Sequence, residues 1–285
     1  MAKETTSAML KVPGATLYYE RRGSGPLLLI IPGGAQDAGV FTELAALLAD
    51  HYTVIAYDPR GNSRSTFDGE PAALDMDVQG DDAAALIEAL GLGPAYIFGT
   101  SGGAQIGLNL AARHPELVRA LVAHEPPTMM LLDDPAPALA AVQELYDTYR
   151  RDGVEAAMQK FFAENGLDAD PEQGEGPPEF DMPPEAAETF ARVSGNFEYW
   201  LTHGMLPLSR YRPDVAALRA GTLRIAVGIG EQSVGQPIHA MGSALAARLG
   251  TTPVDFPGDH MGFDPHAESF ATTLHRALAT DERRP

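Results

Sequence analysis

Hydrophobic positions fall into two rhythms along this chain. Short unbroken apolar runs recur: 26–31 reads Pro-Leu-Leu-Leu-Ile-Ile, 53–57 reads Thr-Val-Ile-Ala-Tyr, and 95–98 reads Ala-Tyr-Ile-Phe. Runs without alternation suit strands covered on both faces, as in a parallel sheet. Between them lie stretches of helical spacing. Over 40–49, Val40, Leu44, Leu47 and Leu48 share one face. Helices are also predicted over 78–90, with Gly91 as a stop, and over 104–114, ended by Pro115. A strand over 117–123 follows. At the start, 9–12 and 16–20 read as a hairpin turning at Pro13-Gly14. Strands and helices alternating at such short intervals predict an α/β fold, a mostly parallel central sheet with helices on both faces.

The alternation stops at about residue 128. From there to about 218 the spacing is helical, over 136–151, 154–164 and 184–201, interrupted by a segment rich in Pro, Gly and acid over 168–184. The α/β rhythm then resumes, with strands over 223–227 and 252–256 and helices over 237–249 and 266–279. The expected organisation is a core of residues 1–127 and 219–285. A mainly helical insertion, 128–218, packs over the sheet as a cap.

Composition narrows the function classes. The 285 residues are 45% hydrophobic, enough for a substantial core. The net charge of -19 argues against nucleic acid and anionic membrane surfaces as partners. With no cysteine, disulfides, thiolate metal sites and a cysteine nucleophile are excluded. The segment 1–11 lacks the apolar stretch of a secretory signal, and the longest apolar run, 27–31, is far too short to span a bilayer. The expectation is a soluble, cytoplasmic protein acting on a small molecule.

The chemistry begins at Gly99-Thr-Ser-Gly-Gly103, a G-x-S-x-G string. The string alone is weak, but a buried strand ends just before it and an amphipathic helix starts just after. That is the context of a nucleophile elbow, where small neighbours let a serine stand on a strained turn. Ser101 is therefore the candidate nucleophile. The bland alternative is a glycine-rich turn with an idle N-cap serine.

At these residues the chain resembles the α/β-hydrolase superfamily, over nearly its whole length. Pro32-Gly33-Gly34 stands where that family usually has His-Gly before its oxyanion loop. Asp58-Pro-Arg-Gly-Asn-Ser-Arg-Ser65 is similar to its D-x-R-G-x-G-x-S turn, and Gly258-Asp-His-Met-Gly262 to its closing histidine loop. By position, His260 follows the last predicted strand and becomes the candidate base, ahead of His266 near the last helix. The resemblance places an acid either after the strand 223–227 or after the preceding strand. In the first loop the final position of the family's pattern is Ser233, which cannot supply a charge, and Glu231 stands two residues early. In the second, Glu125 follows His124 and precedes Pro126-Pro127. Glu125 is preferred as the acid, with Glu231 the alternative. The resemblance also implies an oxyanion hole from the backbone N–H groups of Gly34 and Gly102.

Met129, Phe161, Phe162, Phe197 and Trp200 are the candidate substrate-binding residues of the cap, with Met130 and Tyr199 beside them. The expected activity is hydrolysis of an ester, lactone or related acyl bond of a small to medium, largely apolar substrate, through an acyl-enzyme on Ser101. This chemistry requires no metal and no organic cofactor. The alternatives are a non-catalytic ligand-binding relative, or an acyltransferase or C–C hydrolase using the same triad.

Overall fold

The computed structural model describes residues 5–166 and 183–279. Among them, nine strands form one sheet: β1 (Thr6–Val12), β2 (Ala15–Gly23), β3 (Leu27–Ile31), β4 (Thr53–Tyr57), β5 (Thr66–Phe67), β6 (Ala95–Thr100), β7 (Val118–His124), β8 (Arg224–Gly230) and β9 (Val254–Phe256). Their order is β1-β2-β4-β3-β6-β7-β8-β9, with β5 pairing with β2. The β1–β2 hairpin is antiparallel and β2 meets β4 antiparallel, whereas every pair from β4–β3 to β8–β9 is parallel.

The unbroken apolar runs have a direct cause. In β3, Leu27, Leu29 and Ile31 enter the core on one side of the sheet, and Leu28 and Ile30 enter the core on the other. The first side is covered by α2 (Met76–Leu90), α3 (Gly102–Arg113) and α10 (Pro237–Leu249), through residues such as Leu86, Leu108 and Leu245. The second is covered by α1 (Thr42–Leu48) and α11 (Ala267–Ala279), through Leu44, Phe270 and Leu274. No single-faced alternation is possible where both faces are dry. Gly91 ends α2 in the left-handed conformation, at φ 64°.

Between β7 and β8 the chain builds the helical cap: α4 (Ala136–Asp152), α5 (Val154–Glu164), α6 (Pro184–Gly195), α7 (Phe197–Tyr199) and α8 (Met205–Arg210). Leu145, Ala157, Met158, Leu201 and Met205 give it a small core of its own. A further helix, α9 (Val215–Ala220), leads back to β8. Of the segment 168–184 read as a loop, 168–182 lies outside the described residues.

The single helix expected over 184–201 is instead two. α6 ends at Gly195, and a second helical stretch runs from Phe197 to Arg210 through a π-turn at Trp200–Gly204. The cause is tertiary. Asn196 is buried and uses its side chain to bond the core, donating to Ala35 O and accepting from Ser63 N. Pro207, inside α8, has no N–H to offer the preceding turn. The His203 carbonyl accepts instead from Leu74 N at 2.9 Å, which ties the cap to the loop ahead of α2. No helix among the described residues is long and apolar enough to cross a membrane.

Candidate active site

Ser101 sits between the end of β6 and the start of α3, at φ 54° and ψ −126°. A non-glycine residue held there stores strain on the order of 1–3 kcal/mol, so its surroundings must enforce it. They do so by close approach. A Cβ on Gly103 would lie 2.1 Å from Ile31 O, and one on Gly99 would lie 2.4 Å from Gly103 O. The Ser101 N–H donates to His124 O at 2.9 Å, locking the turn to β7. The serine hydroxyl makes no capping bond to α3, so the idle N-cap reading is not what forms.

Glu125 stands at the equivalent point one strand over, just past the end of β7. It too has a positive φ, 44°. The parallel register sets His124 opposite Gly228, and Glu125 N donates to Gly228 O. Its fully buried carboxylate accepts from Gly230 N at 2.8 Å through Oε1, and Oε2 lies 2.7 Å from His260 Nδ1. Burial alone would raise this acid, but the bond to His260 and the nearby imidazoles outweigh it and hold the carboxyl down at about 2. Glu125 is thus a carboxylate at any physiological pH. With Nδ1 engaged, Nε2 is the imidazole nitrogen left for a hydroxyl, and both Ser101 and His260 line one cavity.

The alternative acid, Glu231, is exposed at the start of a single 3-10 turn, and the structure pairs His260 with Glu125 instead. Ser233, the family's usual acid position, is fully buried, and its hydroxyl faces Glu125 without the geometry of a hydrogen bond. His266 is exposed at the start of the last helix.

A second histidine, His124, lies under the site. It is fully buried among Phe98, Phe256 and Phe270, and its ring stacks on His260 at 6.5 Å. Its Nδ1 meets Thr100 Oγ1 at 3.1 Å, linking the strand ends that carry Ser101 and Glu125. Burial pushes its pKa down to about 3, so it stays neutral.

Gly34 and Gly102 come together beside Ser101. A Cβ on Gly102 would lie 3.3 Å from Gly34 N. Gly102 opens α3, so helix geometry leaves its N–H without an internal partner. The Gly34 loop is braced from behind. Buried Asn62 donates to Gly34 O and Gln36 O, the Gln36 side chain accepts from Gly33 N, and Asn196 donates to Ala35 O. Asn62 lies in the Asp58–Ser65 turn noted from the sequence, where it received no role; only its contacts disclose one.

The cavity above Ser101 has a volume of about 570 Å3. Met129, Phe161 and Trp200 line it as expected. Phe162 and Phe197 do not: they pack edge to face on each other in the cap core, 6.2 Å apart. Helical spacing marks a buried face but cannot tell a cavity wall from the cap interior. Val142, Leu145, Met205, Leu208, Ile238 and Met241 complete much of the apolar wall, unanticipated because they converge from three separate helices, α4, α8 and α10.

Known proteins give the same frame. A family model for the alpha/beta hydrolase fold matches residues 26–165. The uncharacterized hydrolase YraK of Bacillus subtilis is 32% identical over 280 residues, spanning 96% of each chain. The 2-(acetamidomethylene)succinate hydrolase of Mesorhizobium japonicum is 39% identical over 108 residues, 38% of each chain. Among solved structures, a thermophilic esterase from Thermogutta terrifontis superposes with a TM-score of 0.74 at 19% identity, covering 95% of this chain and 98% of its own. With this fold, and with one relative matched nearly end to end above 30% identity, the chain belongs to the alpha/beta hydrolase family of enzymes.

Proposed function

We propose that this protein is a serine hydrolase that cleaves an ester or lactone through an acyl-enzyme on Ser101. The observation that carries this reading is the 2.7 Å bond that His260 Nδ1 donates to Glu125 Oε2, at the wall of the cavity onto which the strained Ser101 turn opens. Ser101 Oγ attacks the acyl carbon while His260 Nε2 takes its proton, and Glu125 holds the imidazole and balances its charge. The carbonyl oxygen, now anionic, is met by the N–H groups of Gly34 and Gly102. The alkoxide leaves with the proton from His260. Water, deprotonated by the same nitrogen, then attacks the acyl-enzyme and releases the acid and Ser101.

The cavity supports a neutral, mostly apolar substrate. Its wall is dominated by Pro, Ala, Val, Leu, Ile, Met and aromatic side chains; besides His260 its ionisable residues are the carboxylates Asp134 and Glu164, and among the described residues no Lys or Arg lines it. An anionic acyl group would meet like charge and no cation there. Its volume suits a medium to large ligand.

The test is covalent. Wild type and Ser101→Ala are treated with a fluorophosphonate probe, followed by intact mass and a screen of p-nitrophenyl esters. Wild type gains one label and hydrolyses neutral esters, and the variant does neither. A wild type that stays unlabelled would refute the assignment.

A further inference from the structure

Trp200 Nε1 and Gln79 Oε1 are among the buried polar atoms that have no hydrogen-bond partner among the described residues. Both side chains line one small cavity of about 20 Å3, separate from the large one. Gly34, Gly102, Trp200 and Leu208 belong to the walls of both. The small cavity therefore adjoins the large one at the glycine pair. Trp200 Nε1 is 3.5 Å from where a Gly34 Cβ would stand, so the indole N–H sits against the glycine loop itself.

Neither atom is there by slack packing. The indole is held edge-on by Phe161 at 5.0 Å and 70°, and it opens the π-turn of the cap. Gln79 is buried on α2. The other polar side chains of the wall have partners elsewhere: Arg60 donates to Asp82 and Pro13 O, Asn62 to Gly34 O and Gln36 O, and the Tyr199 hydroxyl to Ala72 O. The remainder is mostly apolar, with Pro32, Leu74, Ile106 and Leu208.

An unpartnered buried donor and an unpartnered buried acceptor on the wall of one small cavity are together complementary to a group that accepts one hydrogen bond and donates another. A hydroxyl oxygen does both. Roughly 10–15 Å3 is enough for one water, so a cavity of this size takes a single oxygen and little more. Burial of either atom unpaired is costly, which favours an occupant. We propose that Trp200 Nε1 and Gln79 Oε1 form a single-hydroxyl site beside the Gly34–Gly102 pair. Its oxygen comes from an ordered water or from a hydroxyl on the acyl part of the substrate. The second source rests on the hydrolase reading above; the first does not.

The experiment has two arms. High-resolution crystal structures of the wild type, Trp200→Phe and Gln79→Met test for an oxygen bonded to both atoms. Hydrolysis of p-nitrophenyl glycolate and p-nitrophenyl propionate by the same three proteins tests for the substrate hydroxyl. Each protein's glycolate-to-propionate ratio of kcat/KM is the readout, so the intrinsic reactivity of the esters and any general loss in a variant cancel. A ratio about tenfold or more higher in wild type than in both variants assigns the site to the substrate. A ratio unchanged by either variant, with an ordered oxygen in wild type that both variants lose, assigns it to water. An unchanged ratio with no such oxygen overturns the proposal. Fluorophosphonate labelling of the wild type, run in parallel, separates failure of this site from failure of the hydrolase reading.

Discussion

The sheet edge that carries Ser101 and Glu125 and the cap that roofs them are built by different rules. At the edge the backbone is the instrument. Ser101 and Glu125 both hold positive φ, their N–H groups bond neighbouring strands, and two glycines fit only because they lack a Cβ. In the cap the side chains are the instrument. Ordinary helices pack on a small core and reach the sheet domain through a few polar contacts: Arg192 to the buried Asp37 at 2.8 Å, Asn196 to Ala35 and Ser63, and His203 O to Leu74. On the proposed mechanism Ser101, His260 and Glu125 react together and tolerate little displacement, which a rigid, strained backbone provides. A roof need only exclude water and match a ligand, so it can be assembled from interchangeable apolar residues.

The sharpest way to break this contrast is at the acid. Glu125→Gln keeps the bond to Gly230 N within reach but removes the charge that orients His260. A fall of about 10⁴-fold in kcat is expected, together with a lower thermal midpoint, because the carboxylate held at about 2 also stabilises the fold at neutral pH. Glu231→Gln, on the exposed turn, is expected to stay within about twofold, since an exposed side chain away from the site contributes little. Equal losses in the two variants would overturn the assignment.

Backbone dependence predicts the next largest effect. Gly103→Ala forces a Cβ against Ile31 O and destabilises by at least about 4 kcal/mol in urea unfolding. The same change in the cap, Gly195→Ala, meets nothing within 4 Å and carries no positive φ. It is expected to be neutral or to stabilise by about 0.5 kcal/mol. If both alanines behaved alike, the distinction between the two regions would fail.

Acid separates the two buried groups under the site. His124 has a folded pKa of about 3 against an ordinary 6.5, so the unfolded chain takes up a proton first as the pH falls. Its contribution is fully present above 6.5 and is lost progressively toward 3. Glu125, held at about 2 against an ordinary 4.5, contributes above 4.5 and loses it only as the pH falls through 2. Between 6.5 and 4.5, therefore, only His124 acts. Urea unfolding at several pH values should show a shallower loss of stability in His124→Asn than in wild type across that window.

The smallest effect belongs to the cap anchor. Arg192 is partly exposed, and Asp37 keeps Gly39 N when it is removed. Arg192→Ala is expected to cost about 1–2 kcal/mol and to raise KM more than it lowers kcat, because the roof loosens while the sheet edge stays intact. A selective loss of kcat would place Arg192 in the catalytic framework instead.

Much of the sheet was legible along the chain because burial on both faces writes itself as an unbroken apolar run. The elbow was legible because its strain demands glycines at a set spacing around one serine. The choice between Glu125 and Glu231 stayed open, since it turns on a register: only with His124 opposite Gly228 does the Glu125 carboxylate meet both Gly230 N and His260. Likewise Phe162 and Phe161 are adjacent, equally apolar and both packed against the cap core, yet Phe161 alone of the two also lines the cavity. Local sequence determined where most strands and helices and the strained serine turn stand, because those depend on backbone preference and on which faces are dry; the break at Asn196 is the exception. The tertiary structure alone decided which acid meets the histidine, which aromatics wall the cavity, and that Trp200 and Gln79 share a pocket, because each depends on distances between residues far apart in the chain.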